Sequence, residues 1–239
     1  MMFSPLGILL MVSIVVIVGI AQWRVRSAYK KYSKVTASSG MTARQVAQRI
    51  LEHGAISLAK PQLRDVKIES VPGKLTDHYD PRSRTLRLSH AESRSLADIG
   101  VAAHEAGHAL QDAANYQPLV IRSALVPATQ FGSHLASFLV LGAMFAGTMA
   151  TNLLPTILLL IVIAYSLIVV FSLVTLPVEF NASKRAMKLL RDTGAISSSK
   201  EMAAVGTVLN SAALTYVAAA ASAIMTLVYY AFLLLGQRR

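Results

Sequence analysis

A chain of 239 residues that is 54% hydrophobic, only 15% charged and +11 in net charge is not an ordinary soluble domain, which is about 45–50% apolar and about 25% charged. The absence of cysteine excludes disulfides, thiolate metal ligands and a cysteine nucleophile. The basic residues from Arg24 to Lys34, although interspersed with Trp23, Tyr29 and Tyr32, directly follow an apolar stretch, so the positive charge reads as membrane topology with attraction to anionic headgroups, and no nucleic-acid partner is expected.

Residues 5–21 are almost wholly apolar, and the charge follows them at Arg24, Arg26, Lys30, Lys31 and Lys34. A secretory signal carries its charge before the apolar stretch. Residues 4–22 are therefore expected to form a retained span with the N-terminus outside.

Residues 24–118 form the main polar segment. Thr42 and Gln45 fit a capping box. The helix it opens has Val46, Ala47, Ile50 and Leu51 on its apolar face, and Gly54 is expected to end it. Three strand-like runs follow, at 66–71, 75–80 and 85–89. Turns at Pro72-Gly73 and Pro81-Arg82-Ser83 separate them, and a short antiparallel sheet is expected. A second helix is predicted over 96–114, capped by Ser95 and Asp98, with Pro118 beyond its end.

Residues 125–150 give the second expected span, although its helix has an alternative start near Leu119. Arg122 then sits at the interface. Thr151-Asn152 reads as a tight turn. Residues 153–176 are an unbroken apolar run, longer than the ~20 residues a span needs. The polar segment 177–211 carries Lys184, Arg185, Lys188, Arg191 and Lys200. Within it Pro177 suits a helix start, and Ser198 with Glu201 suggests another capping box. Residues 212–235 form the last span and Gln237-Arg238-Arg239 a tail. Two crossings separate the polar segments, so both lie on one side, which the Lys and Arg beside the span ends name as cytoplasmic. Arg238 and Arg239 then face outward, against that trend. The expected fold is a mainly α membrane protein, with four transmembrane helices and a small cytoplasmic zincin-like α+β cap.

The chemistry concentrates in His104-Glu105-Ala106-Gly107-His108. Residues i and i+4 stack on one helical face, so two imidazoles there reach one tetrahedral zinc. Glu105 lies about 100° round the helix from His104. It flanks the metal and suits a general base for the attacking water. The six histidines and six glutamates of this chain would match H-E-x-x-H by chance roughly 0.004 times, which argues against coincidence. Gly107 costs helix stability and is expected to open room beside the metal. Asp98 and Asp112 bracket the motif and keep it out of the hydrocarbon.

A catalytic zinc has three protein ligands and one open position. Glu179 is the expected third ligand, since it lies in a helix first turn among apolar neighbours where a carboxylate needs a cation. The competing reading is a first-turn Glu favoured by the helix dipole or paired with Lys184 or Arg185. Asp112 continues the stripe of His104 and His108, but a further turn away, and is placed as a partner of a ligand. His78 lies on a strand at the cleft edge, where it either stabilises an oxyanion or merely lines the site. Tyr216 is a further candidate to line it. His134 falls within a span, and His53 and His90 read as surface residues.

At these residues the sequence resembles the YugP-type neutral zinc metallopeptidases of bacterial membranes. The resemblance runs through nearly the whole chain. It is carried by Leu75-Thr76-Asp77-His78-Tyr79-Asp80-Pro81, by the H-E-x-x-H string, by Leu176-Pro177-Val178-Glu179-Phe180-Asn181-Ala182-Ser183 and by Leu214-Thr215-Tyr216-Val217-Ala218. It implies zinc-dependent peptide-bond hydrolysis in a multi-pass protein of a bacterial cell membrane. A more distant similarity to membrane proteases with a Glu ligand after a later span supports Glu179 by analogy alone.

The expected activity is that of a zinc metalloendopeptidase at the cytoplasmic membrane face, with one zinc ion per chain. The expected partners are a protein or peptide substrate, docked along a strand edge at 75–80 or 85–89, and the lipid bilayer. The pattern carries no signal for an oligomer or a regulatory membrane partner. The alternative is a non-enzymatic scaffold with a closed, structural zinc site, which would need a fourth protein ligand.

Overall fold

The computed structural model describes residues 4–149 and 153–236. The expected turn at Thr151-Asn152 and the tail at 237–239 lie outside the described residues. Six long helices and a small sheet succeed one another as α1 (Pro5–Tyr32), α2 (Ala43–Ser57), β1 (Lys67–Ser70), β2 (His78–Asp80), β3 (Thr85–Leu88), α3 (Leu96–Ala113), α4 (Gln117–Met149), α5 (Leu154–Asp192) and α6 (Ser199–Gly236). A short 3-10 helix, Pro61–Asp65, leads into β1. Helices α1, α4, α5 and α6 are long and apolar enough to cross a membrane.

The chain divides into two compact units. The first comprises Met1–Gln22, Ile121–Leu176 and Thr215–Arg239. Its helices expose large apolar side chains such as Leu9, Val15, Phe138, Ile163 and Phe232, an outer surface that water does not suit and lipid does. Leu154, Leu158, Ile161, Tyr229 and Tyr230 pack inside it. The second unit comprises Trp23–Val120 and Pro177–Leu214 and holds every group of the H-E-x-x-H region.

In the second unit the capping box is present in both directions: Thr42 Oγ1 accepts from Gln45 N–H, and Gln45 Oε1 accepts from Thr42 N–H. Gly54 does not end α2, which continues to Ser57. A Cβ at Gly54 would stand 3.1 Å from the Leu110 side chain, so the glycine serves the close packing of α2 on α3. Val46, Ala47, Ile50 and Leu51 bury their stripe against Leu86, Leu88, Leu96, Ile99, Ala103, Leu190, Val205 and Leu209.

The sheet is mixed rather than antiparallel, in the order β1-β3-β2. β2 and β3 form the antiparallel hairpin, with Tyr79 opposite Leu86. β1 runs parallel to β3 on its other edge, with Ile68 opposite Leu86. The segment at Pro72-Gly73 therefore carries the chain past β3 to the far edge instead of folding β2 back on β1. Gly73 takes φ +111 and Leu75 φ +57 within this connection, the left-handed region that glycine enters without a steric penalty. β3 is central, so 85–89 is no edge for a docked peptide.

Two other local expectations fall to tertiary partners. Pro177 lies inside α5, and Glu179 is far from a helix start. A proline removes one N–H from the ladder, and in apolar surroundings the backbone has nothing better than the helix to satisfy the rest. The dipole argument for Glu179 is void. Glu201 does not close a capping box. Its carboxylate accepts from the N–H and the hydroxyl of Ser38.

Candidate metal centre

The start of α3 is fixed by polar side chains. Ser95 Oγ accepts from Asp98 N–H, and the Asp98 carboxylate accepts from the hydroxyls of Ser95 and Tyr29. His90 belongs to this cluster, its Nδ1 3.1 Å from Ser89 Oγ and 3.7 Å from Asp98 Oδ1, so it is not a free surface residue.

One turn apart on the same face of α3, the His104 and His108 rings meet edge to face with centroids 4.7 Å apart. Glu179 approaches from α5. Its Oε2 lies 3.2 Å from His104 Nε2 and 3.7 Å from His108 Nε2. The three donor atoms lie within 4.8 Å of one another, and no other such group of His, Cys, Asp or Glu occurs among the described residues.

Glu179 is only 2% exposed, a depth at which a carboxylate needs positive charge beside it. Burial opposes its ionisation. The hydrogen bonds and charges of His104 and His108 outweigh that and hold the carboxyl well below the usual range. Burial likewise disfavours the charged form of His108, but the Glu179 hydrogen bond and the charges of Glu105 and Glu179 prevail and raise its pKa. Two imidazole nitrogens and one carboxylate oxygen converging on a point are the donor set zinc takes, so these residues fit the ion.

The far nitrogens orient the rings. His104 Nδ1 lies 3.1 Å from Ser183 Oγ, and His108 Nδ1 lies 3.0 Å from Gln111 Oε1. Gln111 is fully buried. Its amide nitrogen donates to Val178 O and to Asn181 Oδ1, both at 2.9 Å. Arg185 Nε donates to the same Asn181 oxygen at 2.8 Å.

Glu105 turns the other way, towards the sheet. Its Oε2 accepts from Tyr79 N–H at 3.0 Å, while Tyr79 Oη donates to Asp112 at 2.9 Å. Asp112 is thus not the partner of a histidine. The residue three after His108 faces α5, the residue four after it faces β2, and Gln111 takes the role expected of Asp112. The rest of the Leu75–Pro81 stretch is structural. Asp77 accepts from the N–H and hydroxyl of Ser89, and Asp80 accepts from Arg82 N–H and Ser83 Oγ in the hairpin turn.

Of the other candidates, His78 does not join the three donor atoms. His78 is exposed, with Nδ1 2.9 Å from Thr76 O. Its neighbour Tyr79 is the residue that reaches Glu105. Tyr216 and His134 belong to the first unit. Gly107 does not open room beside the metal. A Cβ there would stand 2.8 Å from the backbone oxygen of Ala182, so the glycine lets α3 and α5 approach closely enough for Glu179 to meet the histidines. Residue types gave no sign of Tyr79's role, because a backbone amide has no residue signature. The signal for Gln111 is its place three residues after His108, on the same helical face.

The fold and the cluster define a class: a helical protein with four candidate membrane spans, an H-E-x-x-H helix and a glutamate brought to it by a later helix. The chain belongs to the family described as "Putative neutral zinc metallopeptidase", which it matches over residues 7–235. It is 44% identical over 220 residues, 91% of this chain and 92% of its relative, to the "Putative membrane protease YugP" of Bacillus subtilis (strain 168). No solved structure matches significantly.

Proposed function

We propose that the protein is a zinc endopeptidase of the bacterial cell membrane that hydrolyses peptide bonds of protein or peptide substrates at the cytoplasmic face. His104, His108 and Glu179 hold one zinc ion and Glu105 is the general base. The observation that carries this reading is the buried Glu179 carboxylate facing the Nε2 atoms of both histidines.

Bound there, zinc would polarise the scissile carbonyl and acidify the attacking water. The chain's own part begins with Glu105. Its Oε2 is steadied by Tyr79 N–H, which leaves Oε1 to take the proton of the attacking water and pass it to the leaving amine. Nδ1 partners on Ser183 and Gln111 keep both Nε2 atoms turned to the metal. An extended substrate docks along β2, the sheet edge beside Glu105. With the Tyr79 amide already committed, the next group along that edge is the Tyr79 carbonyl, which accepts from a substrate N–H.

A structural zinc site would be closed by a fourth protein ligand. Three donors converge among the described residues, which favours the open, catalytic site.

The test uses the full chain purified in detergent and loaded with zinc. It should cleave members of a peptide mixture, stop on chelation and regain activity with zinc. Glu105→Gln should bind zinc and cleave nothing. A variant that still cleaves, or that loses zinc as His104→Ala does, removes Glu105 from its role. For the orientation, a reporter near Lys200 should read cytoplasmic and one at Asn152 external; an external signal at Lys200 overturns it.

A further inference from the structure

We propose that Gln111 is a positioning residue that locks His108 in the one tautomer able to ligate zinc, and that Arg185 sets the lock through Asn181. The inference rests on the metal site proposed above.

The argument is one of donors and acceptors, and it does not depend on how any amide is oriented at the outset. Arg185 Nε can only donate. The Asn181 atom 2.8 Å from it must therefore be the oxygen. That oxygen can only accept, so the Gln111 atom 2.9 Å away must be the NH2. The same nitrogen lies 2.9 Å from Val178 O, another obligate acceptor, which gives the same answer independently. With both amide hydrogens committed, the Gln111 oxygen is left facing His108 Nδ1 at 3.0 Å. Nδ1 must then carry a hydrogen, so in the neutral ring that a metal takes, Nε2 presents its lone pair to the point it shares with Glu179.

The lock is neutral. Many zinc-bound histidines give the second N–H to a carboxylate, which raises the basicity of the ligand. Here an amide fixes the ring without adding charge, and Ser183 does the same for His104. Glu179 remains the sole negative group among the proposed ligands, so the ion keeps more of its Lewis acidity. The only full charge in the relay, Arg185, is three hydrogen bonds away from the ring.

The full chain in detergent is titrated with zinc against a competing chelator, and with cobalt(II) to read the visible spectrum of the bound ion. Gln111→Met keeps the volume but neither donates nor accepts strongly. It should weaken zinc binding by the ~10–100-fold typical of lost ligand partners and alter the cobalt spectrum at saturation. Asn181→Asp keeps the required oxygen and should bind zinc as tightly as wild type or tighter, with an unchanged spectrum. Asn181→Leu removes the oxygen and should follow Gln111→Met. Wild-type affinity in Gln111→Met, or an equal loss in Asn181→Asp and Asn181→Leu, overturns the lock. If Gln111→Met is recovered unfolded, the Asn181 pair decides. A wild-type chain that takes up neither ion would instead defeat the metal site itself.

Discussion

The backbone N–H of Tyr79 lies 3.0 Å from Oε2 of Glu105, so the strand at the edge of the sheet holds the acid of the H-E-x-x-H helix. The hydroxyl of the same residue reaches Asp112, and β2 is thereby fixed to α3 at two points almost two turns apart. Tyr79→Phe removes the second and leaves the first. Taking the donor from a half-buried carboxylate costs about 1–3 kcal/mol. Denaturant unfolding should show that loss, and zinc content should stay at the wild-type level. Peptide cleavage should fall as β2 loosens. A variant as stable as wild type would mean that the Asp112 contact contributes nothing.

Glu179→Ala takes from the two histidines the one carboxylate that faces both Nε2 atoms. Losing a direct ligand should cost more than the ~10–100-fold that a lost ligand partner costs, and peptidase activity should disappear with the metal. Glu201→Ala is the matched control, because its carboxylate is spent on Ser38 at an exposed position. It should change neither zinc content nor cleavage. Metal analysis of the two purified variants checks both, and equal zinc in Glu179→Ala and wild type would remove Glu179 from the site.

Gly107→Ala places a methyl group against the backbone oxygen of Ala182. Backbone cannot swing aside as a side-chain tip can, so α3 and α5 must separate. Overpacking of this kind costs about 1–3 kcal/mol, and the separation should pull Glu179 off the histidines. Zinc affinity and the midpoint of unfolding should fall together. A fall in stability at undiminished affinity would show that the spacing of the helices does not govern the site.

Protons and zinc compete for the cluster, and the shifts fix the direction. The folded-state pKa of His108 is raised, so its contribution to metal-free stability is complete below the unfolded pKa and lost as pH rises through the folded one. Glu179 is held low. Its contribution is present above the ordinary carboxylate range and changes only in strong acid. As pH rises from the ordinary imidazole pKa of about 6.5 through the raised folded value of His108, the metal-free chain should become less stable, while zinc binds better as the protons leave. The gap in melting temperature between zinc-loaded and chelated protein should widen as pH rises. A gap that narrows would contradict the assignment.

The H-E-x-x-H string, the cap of α3 at Ser95 and the capping box at Thr42 were legible because each is written in a few adjacent residues. The carboxylate at Glu179 was legible for one of the two reasons that suggested it. Its apolar surroundings pointed to a cation, whereas the helix start drawn at Pro177 does not exist. What local pattern could not give was anything decided between distant segments. The central place of β3, the glycine contact between Gly107 and Ala182, and the turning of Asp112 to Tyr79 and of Gln111 to His108 all depend on which element lies opposite.

His104 and Glu179 stand 75 residues apart in the chain, and α4 and most of α5 lie between them. During synthesis the two histidines and the base therefore leave the ribosome well before the third donor exists. A nascent or prematurely ended chain carries an incomplete set that holds metal weakly. The glutamate arrives only when α5 has been made and laid against α3, so under the proposed function the order of translation delays peptidase activity until the third donor is in place.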